Sequence, residues 1–133
     1  MREILLVRFG EVFLKGQNRP FFMKKLMDHI RQAVRPVNGR VWMSEGRFYV
    51  SDFTDMDECI RRVTRVFGVH SVSPAIEMDK DNFEAICEQA ARMMEPLSGT
   101  FKVLARRSDK RYPLDSPAIM REAGGYILDH VPQ

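Results

Sequence analysis

The chain has 133 residues, 44% of them hydrophobic and 29% charged, with a formal net charge of +3. That composition excludes a disordered or fibrous chain, and the length suits one ordinary domain or two small ones. No stretch approaches the roughly 18 apolar residues a membrane helix needs, and the apolar start Ile4-Leu5-Leu6-Val7 is too short for a signal-peptide core, so a cytoplasmic protein is expected.

In chain order, residues 3–9 form a nearly continuous apolar run, the pattern of a strand covered on both faces and central in its sheet. A loop carrying Glu11, Lys15 and Gly16 follows. Asn18 is the expected N-cap of a helix to about Arg35, with Pro20 in its first turn and Pro36 as its stop. Phe22, Leu26, Ile30 and Val34 mark its apolar stripe. Residues 40–43 and 47–50 flank Ser44-Glu45-Gly46, which predicts a hairpin. Its aromatics Trp42, Phe48 and Tyr49 suit core or cross-strand packing, with base stacking as the alternative. Asp55, with Glu58 three residues on, reads as a capping box opening a second helix closed by Gly68. A strand to Met78 follows, and its Pro74 predicts an edge position.

Strand, helix, strand, strand, helix, strand is the ferredoxin-like order: two helices on one face of a four-stranded antiparallel sheet, an α+β domain over residues 1–78. A second unit, 79–133, opens with Asp81 as N-cap and Glu84 at the capping-box position. Phe83, Ile86, Cys87, Ala90 and Met94 form its stripe. A strand at 100–106 leads into Arg106-Arg107-Ser108-Asp109-Lys110-Arg111. Ser116-Pro117 then predicts the N-cap of a last helix bearing Ile119, Ala123, Ile127 and Val131. Gly124-Gly125 weakens that helix by about 1 kcal/mol per glycine, which predicts close approach of a neighbouring element or a ligand. One strand with two helices is an incomplete α/β unit, so a fragment, or a homodimer that pairs it with a second copy, is expected.

The charge is unevenly spread. Residues 1–40 carry nine Lys and Arg against three acids, residues 41–98 six against eleven, and residues 99–133 six against four. A basic face for a polyanion fits this better than uniform solubilising charge. Cations at a strand end suit phosphate binding, and they equally suit a solvated turn that protects a sheet edge. Cys59 and Cys87 sit within helical stripes, which predicts buried thiols, not a disulfide. His29, His70 and His130 lack ligand spacing, so no metal is expected. No catalytic signature occurs. A Glu11–Lys15 acid/base pair is conceivable, though a loop salt bridge accounts for those two residues.

Two motifs carry a family resemblance. Arg8-Phe9-Gly10-Glu11, Leu14-Lys15-Gly16, Asn18-Arg19 and Phe21-Phe22 resemble the N-terminal motif of the tRNA 4-thiouridine synthetases, the tRNA sulfurtransferases also linked to thiamine biosynthesis. Phe101-Lys102-Val103, Ala105 through Arg111, Pro113-Leu114 and Ser116-Pro117 are similar to the THUMP-domain signature of the same enzymes. The resemblance covers the whole chain. It implies a ferredoxin-like domain followed by a truncated, RNA-binding THUMP domain that lacks its C-terminal strands, the pair gripping the acceptor region and 3′ end of tRNA.

It further implies an ATP- and Mg-dependent sulfurtransferase whose catalytic domain lies beyond this chain, supplied with persulfide sulfur by a cysteine desulfurase. Cys59 and Cys87 match no catalytic cysteine of that family, so no catalytic residue and no cofactor is expected here. The implied RNA contacts are Arg106, Arg107, Lys110 and Arg111 to phosphates, with Lys102 beside them. Lys15 and Arg19 form a second anchor, and Ser116 presents a helix start. Other readings are another THUMP-bearing tRNA enzyme such as a methyltransferase, an acyl-phosphate enzyme of ferredoxin-like fold, and a dimerisation module.

Overall fold

The computed structural model describes residues 1–10 and 18–131, and the chain divides into two compact units, Met1–Glu77 and Met78–Gln133. In the first unit the elements are β1 (Arg2–Phe9), α1 (Arg19–Val34), a 3-10 turn (Arg35–Val37), β2 (Arg40–Ser44), β3 (Arg47–Ser51), α2 (Met56–Thr64) and β4 (Val69–Glu77). The sheet order is β2-β3-β1-β4, with every neighbouring pair antiparallel. The apolar run is therefore interior to the sheet, and the Pro74 strand lies at its edge. At an edge, the missing proline N–H removes no ladder bond on the open side.

The core lies between one sheet face and the two helices. Leu5, Val7, Val41, Phe48 and Val50 from the strands meet Leu26, Ile30 and Val34 of α1 and Cys59 and Val63 of α2. In β1, Leu5 pairs with Val50 and Val7 with Phe48, so the alternation of each strand sends the apolar set to one side. Phe22, predicted to share the α1 stripe, is instead exposed, and it is the adjacent Met23 that packs against the core at this turn of the helix.

The hairpin turns at Glu45-Gly46, both with positive φ, the backbone hand that matches the twist of adjoining strands. Phe48 faces the core. Trp42 and Tyr49 stack across the strands on the other face at 5.5 Å, with the Arg2 guanidinium 5.2 Å from the Trp42 ring. That is cross-strand packing. In α2, Asp55 accepts from Glu58 N as expected, but the Glu58 carboxylate pairs with Arg61 and Arg62 along the helix. Half of the expected capping box is formed. The nearby guanidinium groups compete for the other half.

The second unit contains α3 (Phe83–Met94) and α4 (Ser116–His130), joined by an extended stretch and a turn. Cys87 and Ala91 of α3 and Ala123 and Ile127 of α4 are buried. Three expectations are corrected here. The α3 N-cap is Asn82, not Asp81: Asn82 Oδ1 accepts from Ala85 N, while Asp81 N donates back to Asp79. The α4 N-cap is Asp115, not Ser116, because Asp115 holds the extended backbone a cap requires and accepts from Ala118 N. Residues 100–106 form no sheet ladder among the described residues, although their exposure alternates as a strand's would. A strand is defined by its partner, and none is described beside this one.

The glycine pair of α4 also differs from expectation. A side chain built on Gly124 would meet Val103 at an ordinary 3.7 Å, and one on Gly125 would meet nothing within 4 Å. No close approach among the described residues demands either glycine. No helix of the described residues is long and apolar enough to cross a membrane.

Candidate nucleic-acid interface

The stretch from Phe101 to Tyr112 carries the expected cations, and its local bonds sort them into two groups. Alternation leaves Lys102, Leu104 and Arg106 exposed while Phe101, Val103 and Ala105 are half-buried. Lys102 and Arg106 therefore lie on one side of the extended chain. At the turn, Tyr112 N donates to Asp109 O at 3.1 Å, closing the loop that presents Lys110 and Arg111.

Asp109 is the hub of this turn. Its Oδ1 accepts from Arg111 N at 3.0 Å and Arg111 Nε at 3.2 Å, and its Oδ2 accepts from Lys80 Nζ at 2.9 Å. The Lys80 bond, followed by those from Arg111, holds the Asp109 carboxyl well below the usual carboxylate range. The same bond raises Lys80 above the ordinary lysine value. Lys80 precedes α3, so the ion pair ties the basic turn to the entrance of that helix.

Arg107 differs from its neighbours. It is half-buried, its Nη1 donates to Tyr112 O at 3.1 Å, and its backbone N donates to Ser116 Oγ at 3.1 Å. Arg107 thus braces the turn internally. Ser116 is engaged by that same brace, and the α4 start is capped by the Asp115 carboxylate. Arg106 and Lys110 are exposed and form no ion pair among the described residues, and the Arg111 side chain stays 88% exposed despite its contact with Asp109. The expected cluster resolves into Arg106, Lys110 and Arg111 facing outward with Lys102 alongside, and Arg107 and Ser116 turned to structure. Behind the turn lies a half-open groove of about 230 Å³, floored by Phe83, Ile86, Tyr112 and Ile119 and rimmed by Lys80 and Arg106.

Arg19 is the first residue of α1 in the other unit, exposed and unpaired among the described residues. Lys15, like Glu11 and Gly16, lies outside the described residues. Sequence reading missed Lys80, whose partner is 29 residues away. Nothing in the spacing signals that pair, since it depends on how the turn folds back on α3. Both cysteines are free and buried; burial pushes the Cys59 thiol up to about 11 and raises that of Cys87. Neither is placed to act as a nucleophile.

Comparison with known proteins gives concordant matches. The model of the ThiI ferredoxin-like domain matches residues 4–73, and that of the THUMP domain matches residues 80–133. A probable tRNA sulfurtransferase of Acetivibrio thermocellus is 42% identical over the whole chain, which covers 36% of that protein. One from Alkaliphilus metalliredigens is 43% identical over 98% of the chain and 35% of its own length. The chain spans about a third of the length of these curated relatives. Among solved structures, PH1313 from Pyrococcus horikoshii Ot3 is similar over 97% of this chain and 45% of its own, at TM-score 0.77 and 32% identity. A 4-thiouridine synthetase in complex with RNA and bound ATP is similar over 97% of this chain and 33% of its own, at TM-score 0.76 and 26% identity.

Proposed function

Because this chain belongs to the ThiI ferredoxin-like family and carries a THUMP domain behind that domain, we propose that it binds tRNA through the basic turn of its second unit. The observation that carries the reading is the exposure of Arg106 at the end of the extended stretch and of Lys110 and Arg111 on the turn that follows, braced by Arg107 and Asp109. A duplex RNA hides base edges in a deep, narrow groove, so a protein measures it through phosphates and sugars. Guanidinium groups meet phosphate oxygens with two parallel bonds and lysine with a point charge. Lys102 extends this surface, with Lys15 and Arg19 as the second anchor, and Arg107 and Ser116 shape the turn. The 4-thiouridine synthetase of similar fold is in complex with RNA, which supports the reading.

The boundary between the ferredoxin-like and THUMP domains is taken at residue 78, and the RNA region bound is the acceptor end. The longer protein is a cytoplasmic enzyme that makes 4-thiouridine in tRNA using ATP and persulfide sulfur, and it also feeds sulfur to thiamine thiazole synthesis. No step of that chemistry is assigned to the residues of this chain.

The test is a mobility-shift titration of tRNA against the wild type and the triple variant Arg106→Ala, Lys110→Ala, Arg111→Ala at several salt concentrations. Removing one cation from a phosphate should lower the slope of log affinity against log salt by about one, so a drop of about two to three and at least about tenfold weaker binding are expected. Equal affinity and an equal slope would overturn the reading.

A further inference from the structure

The acid at the centre of the basic turn has a role opposite to the one its charge suggests. A carboxylate among phosphate-binding cations repels the ligand, so on charge alone its removal should strengthen binding. Asp109, however, ties the 109–112 turn to Lys80 and also bonds Arg111 within the turn. It receives Arg111 N and Nε on one oxygen and Lys80 Nζ on the other. The bond to Arg111 N directs the backbone at the very residue whose guanidinium projects outward, and the bond to Lys80 fixes the turn against α3. Arg107 and Tyr112 hold the opposite side of the loop.

We propose that Asp109 is a positioning residue for RNA: it aligns Arg111 and Lys110 with the exposed side of the turn and keeps Lys80 at the rim of the adjoining groove. The inference rests on the tRNA-binding reading above. The gain from ordering the cations in advance exceeds the repulsion from one carboxylate whose charge is already shared between Lys80 and Arg111. Flexible cationic side chains otherwise lose rotamer freedom on binding, and an ordered turn has lost part of it beforehand.

The experiment compares tRNA affinity and its salt slope for the wild type, Asp109→Ala and Asp109→Asn, using the full chain. Alanine removes charge and acceptor together, whereas asparagine keeps an Oδ1 that accepts from Arg111 N. Positioning predicts that Asp109→Ala binds about threefold to tenfold more weakly with a slope shallower by about one, and that Asp109→Asn falls between it and the wild type. If Asp109 acts only as a negative charge, both variants bind more tightly and alike. Tighter or unchanged binding by Asp109→Ala overturns the proposal, and so does weaker binding with an unaltered slope. Should Asp109→Ala lose its cooperative thermal transition, Asp109→Asn decides alone: tighter binding than the wild type overturns the proposal, and equal or weaker binding with a shallower slope upholds it. The triple variant separates the two claims. If it loses tRNA while Asp109→Ala gains affinity, only the positioning role fails; if it binds as the wild type does, the RNA reading itself fails.

Discussion

Arg107 and Lys110 sit three residues apart in one turn and meet opposite environments, one braced against Tyr112 O and Ser116, the other open to solvent. Four adjacent cations look equivalent in a sequence, and only the fold of the turn separates the ones that hold it from the ones it displays. The thiols invert that case, since their place in helical stripes already implied burial. Cys59 is raised by desolvation from its ordinary value near 9 to about 11. A group that keeps its proton more tightly when folded contributes stability that is complete below the unfolded value and lost as pH rises. Urea unfolding at pH 8, 9.5 and 11 should therefore show a Cys59-dependent loss of stability between about pH 9 and 11, which Cys59→Ala abolishes. A thiol reagent at pH 8 should label both cysteines only after denaturation.

At the scale of elements, the helix starts were legible to within one residue, and so was the Asp55 cap of α2, but the caps of α3 and α4 were not. Asp81-Asn82 and Asp115-Ser116 each offer two good capping residues in succession, and φ and ψ decide which one carries the bond. Asp115→Ala should lower stability by about 1 kcal/mol in urea titration, and Asn82→Ala by a similar amount. Asp81→Ala should change it by less. Gly125 sits in open space on α4, so Gly125→Ala should raise stability by about 0.5–1 kcal/mol through helix propensity alone. A loss instead would mean that something does approach that backbone. The stretch 100–106 was readable as an alternating segment, because alternation is local. That it forms no ladder among the described residues was not, because a ladder belongs to two segments.

For the whole molecule, the tRNA-binding reading proposed above makes the basic turn of the second unit a reader of backbone charge, not of base identity. Competition with tRNAs of unrelated sequence should displace a labelled tRNA within a few fold of one another, while raising salt weakens all of them steeply. A strong preference for one sequence would point to base contacts in addition to phosphate contacts. The order of elements in the first unit, the interior place of β1 and the edge place of β4 were determined by sequence alone. Period-2 and period-3.6 apolar patterns dictate which faces must be buried, and Pro74, which has no N–H to donate, suits a strand with a neighbour on one side only. The basic stretch at 101–111 was equally plain as a concentration of charge. What only the tertiary structure decided is its internal division. Lys80 reaches Asp109 across 29 residues, Arg107 turns inward, and Arg106, Lys110 and Arg111 are left facing out. Charge is a property of residues, but its availability to a ligand depends on which partners the folded chain brings within hydrogen-bond distance.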